Sequence, residues 1–198
     1  MAYCTASDVM KHLRGVDISA LGNASEQEAA AADAAQAASL WVDGFTRRRF
    51  ETVTDAWSFD GSGTDTLFVP DLLAVEEWSM DGFARDISEL VLCPQTKPHA
   101  WLRLKGGVFC RGIGNVVLKG TWGYGYTVPD EVARCTAMLA AAELLGRIAA
   151  ARDRGTSSTV QGALSEHYEG GAYSAAIQRL RKDAASVLVR FRRPIWSL

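Results

Sequence analysis

Residues able to do chemistry are present in this chain, but their spacing works against it. The three histidines, His12, His99 and His167, lie far apart with no HxxxH or HExxH pattern, so the spacing that places two imidazoles on one helical face is missing and no metal site is expected. Ser165 and His167 stand two apart in a polar segment, and no Gly-x-Ser-x-Gly elbow accompanies them, so an assembled Ser/His/Asp triad is not expected. Glu76 and Glu77 are adjacent; on a regular strand they would point to opposite faces, which is poor geometry for an acid/base pair. Gly112-Ile-Gly-Asn115 begins like a dinucleotide fingerprint but lacks the third glycine and leads into a strand. Asp60 to Asp71 has the spacing of a calcium loop, yet Asp65 stands where the turn needs glycine and Asp71 where a bidentate Glu belongs. Cys4, Cys93, Cys110 and Cys135 have no CxxC spacing and read as reduced thiols. The expectation is a protein with no catalytic residues, no metal and no cofactor: not an enzyme.

Charge is more telling than any motif. Residues 1–100 carry 7 basic and 16 acidic side chains, and residues 101–198 carry 14 basic and 7 acidic. Acid is densest from Asp55 to Glu89; base is densest at the end, in Arg179, Arg181, Lys182, Arg190, Arg192 and Arg193. Opposite poles on one chain suit contacts between copies or different partners at each end. Arg190, Arg192 and Arg193 lie beside Phe191 and Trp196, mixing charge with aromatic anchors as interfaces do. No nucleic-acid-reading motif accompanies them. The longest uncharged apolar runs fall short of the roughly 18 residues of a membrane helix, and the N-terminus lacks the apolar core of a signal peptide.

The elements that would position these residues can be read in turn. At 198 residues the chain fits one domain, 1–198. Thr5-Ala-Ser-Asp8 forms a capping box for a helix at about 5–14, with Gly15 beyond its end. Ser25-Glu-Gln-Glu28 forms a second for a helix at about 25–49. Ala34, Ala37, Ala38, Trp41 and Phe45 make that helix's apolar face, and Arg47, Arg48 and Arg49 complement the negative end of its dipole. From about 53 to 124, short strand-like runs alternate with Gly, Pro, Asp and Asn. Asp60-Gly-Ser-Gly-Thr-Asp65 reads as a hairpin loop, and Pro70 as the end of the second strand. Pro129, Asp130 and Glu131 open a third main helix, about 129–151. The Gly/Ser/Thr-rich stretch 153–171 reads as a connection, and an amphipathic helix follows at about 174–191, then a tail at 192–198. The fold class expected is mainly α (α+β): an antiparallel helical bundle with a β-hairpin-rich insertion between the second and third main helices.

This order of features resembles the head–tail connector (adaptor, or head-completion) proteins of long-tailed bacteriophages and prophages. The resemblance is carried by the helix start at Tyr3–Leu13, the run Trp41-Val-Asp-Gly-Phe-Thr-Arg-Arg-Arg-Phe50, the block FDGSGTDTLFVPDLLAVEEWSMDG, the block NVVLKGTWGYGYTVPDEV, and the final helix ending near Phe191-Arg-Arg193. Phe83–Gly114 and the tail after Pro194 lie outside the matching motifs. The resemblance implies a structural virion protein of the neck, assembled in the host bacterial cytoplasm. Its copies form a ring under the portal, commonly dodecameric; the portal can serve as template, so a chain monomeric in isolation is compatible with this. The ring extends the DNA channel and docks the next head-completion, stopper or tail protein; double-stranded DNA passes without sequence-specific binding. Arg190, Phe191, Arg192, Arg193, Ile195 and Trp196 would grip the portal. Asp60, Asp65, Asp71, Glu76, Glu77 and Asp81 would form an acidic surface facing the channel or a partner, where negative charge repels phosphate. Arg47, Arg48 and Arg49 would serve the subunit interface. The alternatives are another neck or tail-completion (stopper-like) component, or a small hydrolase.

Overall fold

The computed structural model describes residues 2–155 and 170–193. The connection expected at 153–171 lies outside the described residues, apart from the helix ends that border it. The chain forms two compact units: a helical unit of Met1–Arg47 with Asp130–Leu198, and a sheet unit of Arg48–Pro129.

The helical unit contains α1 (Ala6–Lys11), α2 (Ala24–Thr46), α3 (Asp130–Gly155) and α4 (Gly170–Leu188). The Thr5/Asp8 capping box is present: Thr5 caps the Asp8 amide, and the Asp8 carboxylate accepts from the Thr5 amide at 3.1 Å. On α2 the cap shifts from its expected place. Asn23 is the N-cap and Glu26 reaches back to its amide at 2.7 Å. Asparagine caps as well as serine does, so two overlapping boxes compete and the earlier one forms. At the other end the helix stops at Thr46 because Arg47 turns left-handed (φ 56°).

Alanine sets the spacing of this unit. Ala31, Ala34, Ala35 and Ala38 of α2 are buried against Ala137, Ala140, Ala141, Leu144 and Leu145 of α3, and side chains this small let the helix backbones approach closely. The buried face of α2 therefore runs through Ala31, Ala35 and Val42, rotated from the expected one; Ala37 and Trp41 are exposed. Buried residues on α3 lie around most of its circumference, as suits a helix with neighbours on several sides. Among the described residues, no helix is long and apolar enough to cross a membrane.

The sheet unit overturns the expected architecture. Residues 53–124 are not a hairpin insertion on a helical bundle. They form a six-stranded antiparallel sheet with its own core, and the chain is α+β. The strands are β1 (Val53–Gly61), β2 (Thr66–Met80), β3 (Phe83–Arg85), β4 (Leu90–Cys93), β5 (His99–Leu104) and β6 (Gly112–Trp122), in the order β1-β6-β2-β5-β4, with β3 paired to β2. Two physical reasons explain the difference. First, β1 and β2 are not partners: β6 lies between them, pairing Val53 with its Trp122 and Trp78 with its Leu118. The glycine-rich loop is long enough to cross over, and it pairs instead with Phe109, through Gly63 N–H to Phe109 O and Phe109 N–H to Thr64 O, both at 2.8 Å. Second, Pro70 does not end a strand. It sits at a register shift between Phe68 and Leu72, where a missing N–H is tolerated. Around this irregularity β2 passes from β5 to β6, and Leu72 is paired with both, with His99 of β5 and Trp122 of β6.

The sheet closes over Leu67, Val69, Leu72, Leu102, Leu118 and Trp122. Trp122 is 2% exposed, stacks on Trp57 with centroids 4.4 Å apart, and donates its indole N–H to Asp55 O at 2.9 Å. Such a ring pair adds roughly 0.5–1.5 kcal/mol beyond its area.

One ion pair fastens the first residues of this unit to the irregularity in β2. Arg48 donates to the Asp71 carboxylate, with side chains only 16% and 11% exposed, and its guanidinium lies 5.2 Å from the Tyr124 ring centre. Asp71 itself has φ 38°, a conformation Asn also tolerates. Asp71→Asn should therefore keep this conformation but leave a buried cation without its counter-charge. The expected cost to the sheet unit is about 3 kcal/mol, read as a lower urea midpoint by tryptophan fluorescence; an unchanged midpoint would show the pair to be dispensable.

Candidate functional site

The six carboxylates read as an acidic surface separate into two groups. Asp71 is buried against Arg48, Asp65 is paired with Arg103 at 2.5 Å, and Glu77 with Lys119 at 2.7 Å. The Arg103 hydrogen bond, followed by one from Thr66, holds the Asp65 carboxyl below its usual range. Asp60, Glu76 and Asp81 have no ion pair with Lys or Arg among the described residues. Half of the expected negative surface is thus neutralised by cations of β5, β6 and the segment before β1. Sequence adjacency could not reveal these partners, which lie 23 to 42 residues away.

Glu76 and Glu77 also depart from expectation. A register shift between Val75 and Glu77 breaks the alternation of β2, and both carboxylates are exposed and line one open cavity of about 580 Å³. Trp78, Arg85, Asp86 and Lys119 share that cavity. Arg85 pairs with Glu89 at 2.6 Å and lies 5.5 Å from the Trp78 ring centre. The bulge is enforced from β6: a Cβ on Gly120 would stand 2.2 Å from Ala74 O, so only glycine allows this approach.

The loop end of the sheet is organised by Asn115, which carried no role in the sequence reading. Its Oδ1 accepts from Gly61 N–H at 2.9 Å, and its Nδ2 donates to Asp81 Oδ1 at 2.9 Å and to Cys110 O at 3.0 Å. Its own carbonyl accepts from Asp81 N–H at 2.8 Å, while Asp60 accepts from Gly114 N–H at 2.6 Å. One side chain thereby ties together the ends of β1, β2 and β6 and the loop before β6. Phe83 and Ile113, 75% and 95% exposed, stand beside this hub. A fixed backbone presenting apolar tips and two carboxylates is a surface suited to protein contact. The signal available in sequence was glycine density around a single Asn.

In the helical unit, the predicted portal-gripping residues lie at the end of α4. Residues Val189–Phe191 form a single 3₁₀ turn, and the chain is then pinned by Arg193 N–H donating to Thr46 O at 2.9 Å. Arg190 is exposed and 3.5 Å from Glu131; the Arg192 guanidinium lies 5.4 Å from the Phe45 ring centre. Phe45 stacks on Trp41 at 4.9 Å. Cations and aromatic rings thus share one surface. Ile195 and Trp196 lie outside the described residues, as do Ser165 and His167. Of the predicted subunit-interface arginines, Arg47 and Arg49 are exposed, whereas Arg48 is turned inward to Asp71 and is not available to another copy.

Two of the thiols and two of the imidazoles are constrained by their surroundings. Burial pushes the Cys4 thiol up to about 11 and raises that of Cys135, so neither is a thiolate nucleophile at neutral pH. His12 is pulled below its usual value, by burial first and then by the Arg134 charge. His99 is buried with Nδ1 2.7 Å from Pro94 O. Among the described residues no group of three metal-ligating side chains converges.

No protein-family model matches the chain, and no curated protein matches it.

Asn115→Leu should leave the buried Gly61 N–H without its partner and hand the exposed Asp81 and Cys110 acceptors to water. The expected loss is about 1–3 kcal/mol, with amide exchange rising first at Gly61. Unchanged protection at that amide would contradict the role of Asn115 as a tie.

Proposed function

We propose that this protein is a structural connector of a long-tailed phage neck, a head–tail adaptor that joins the portal to the next head-completion or tail protein. The observation that carries the reading is the end of α4. There Arg190, Phe191 and Arg192 follow the helix as a cationic and aromatic strip, pinned at Thr46 and flanked by the Trp41–Phe45 stack. Arginine and aromatic residues on a fixed backbone are the usual anchors of a protein interface, and this strip coincides with the segment that the resemblance to connectors assigns to the portal. The role would be exercised in the virion neck, after assembly in the bacterial cytoplasm, by contact alone and without cofactor or metal.

The acidic residues take a narrower part than their density along the chain implies. With Asp65, Asp71 and Glu77 paired, the proposed channel-facing or partner-facing charge falls to Asp60, Glu76 and Asp81. Fixed negative charge repels phosphate, the reverse of the counterion-releasing contacts that hold DNA on a protein.

The self-contained sheet unit favours one second reading, a stopper-like neck component, because that class is richer in β-structure. The two readings differ in what they dock on. An adaptor binds heads that carry only the portal, whereas a stopper needs a connector ring already in place.

Deleting residues 190–198 should leave a folded protein that no longer co-sediments with portal-bearing, DNA-filled heads. Normal co-sedimentation of the shortened chain would overturn the gripping role. A defined turnover of a substrate would overturn the connector reading.

A further inference from the structure

α2 and α4 both lie against α3 but hardly touch each other, and the space between them is an open groove of about 920 Å³. Ala37, Trp41 and Phe45 of α2 form one wall, Leu139 of α3 the floor, and Ala185 of α4 the other wall. Arg181 and Lys182 stand on the α4 rim, and neither has an ion pair among the described residues. The remaining charge in the groove is Glu143, which is occupied by Arg147 at 2.5 Å. The groove is therefore apolar below and cationic at the edge. Trp41 is left 47% exposed within it.

The complement to this groove is found on the same chain. A neighbouring stripe of α2, through Ala29, Asp33, Gln36, Leu40 and Gly44, is exposed along its length. These residues recur at intervals of three and four, so they share one face. Leu40 projects from it 64% exposed. Asp33 lies two turns away, about 10 Å along the axis, with no ion pair among the described residues. Between Ala24 and Thr46 the helix carries Glu26, Glu28, Asp33 and Asp43 and no Lys or Arg. An acidic helix with one exposed leucine and small neighbours matches an apolar groove with a cationic rim in shape and in sign.

We propose that the α2–α4 groove is a contact between copies of this chain. Leu40 of one copy enters the groove of the next, and Asp33 faces its Arg181 and Lys182. Knob and groove are different surfaces of each copy, so the contact can repeat from one copy to the next, as ring assembly requires. The inference rests on the connector reading for its expectation of several copies, and on the helical unit for the surface.

Sedimentation equilibrium on the 198-residue chain tests it with a charge swap. The native chain should self-associate, and Arg181→Glu with Lys182→Glu should weaken that association by about tenfold or more. Adding Asp33→Arg to the pair should restore it. All three positions are exposed, and unchanged circular dichroism would exclude misfolding as the cause. Leu40→Ala should weaken association without altering its charge dependence. Three results would overturn the proposal: a chain monomeric up to the highest concentration reached, association indifferent to the reversal, or a loss that Asp33→Arg does not rescue. A chain that becomes oligomeric only after residues 194–198 are removed would assign the groove to its own tail, and would equally overturn it. Failure here is distinct from failure of the connector reading. A monomeric chain that still docks on portal-bearing heads contradicts only the inference, and a self-associating chain that ignores them contradicts only the reading.

Discussion

The middle of this chain can be buried only if each backbone N–H and C=O within it finds a partner, and β6 is the strand that meets this demand. It runs for eleven residues between β1 and β2 and bonds to both. Without it, among the described residues, β1 would have no neighbouring strand, and β2 beyond Leu72 would keep the three-residue β3. The core follows from the same placement: Val116, Leu118 and Trp122 alternate inward along β6, with Trp57 and Phe59 of β1 and Trp78 of β2 packed around them. Gly120 then lets β2 approach closely enough to bulge, and the bulge turns Glu76 and Glu77 toward one cavity. A single pairing choice thus reaches from hydrogen bonding to the surface that the protein presents.

The elements that sequence predicted well are those governed by neighbours along the chain. The Thr5/Asp8 box is a three-residue relation between side chain and backbone, and it forms where expected. Proline and acid at the start of α3, and an amphipathic α4, are likewise local patterns. The features that local pattern misses depend on distant partners. The Trp57–Gly82 stretch has the composition of a hairpin, and only the arrival of β6 some fifty residues later separates its strands. Pro70 has the same local chemistry whether it ends a strand or occupies a bulge. Arg48 belongs to a run of three arginines after a helix, and nothing nearby indicates that Asp71 will draw it inward. Asn115 gives no local signal, because its four hydrogen bonds reach three other parts of the chain.

The candidate site was legible in a similar proportion. The cationic and aromatic end of α4 was evident from composition, and its anchor at Thr46 from nothing in the sequence. The acidic stretch was evident too, but charge counted along a chain overstates charge displayed in space, because Arg103 and Lys119 return on β5 and β6 to neutralise it. The rotated apolar face of α2 had the opposite effect. Assigning Trp41 and Ala37 to the core concealed the surface that they and Leu40 leave open.

Taken together, the two units offer contact surfaces of different character, one cationic and aromatic, the other bearing acid and apolar loop tips. The connector reading assigns such surfaces to successive partners along a particle's axis. Electron microscopy of portal-bearing, DNA-filled heads mixed with the purified chain tests that assignment most directly. A ring of added density at the portal vertex, coaxial with the channel, is the expected result. Heads that remain bare at the portal under saturating protein, or protein bound elsewhere on the shell, would contradict it.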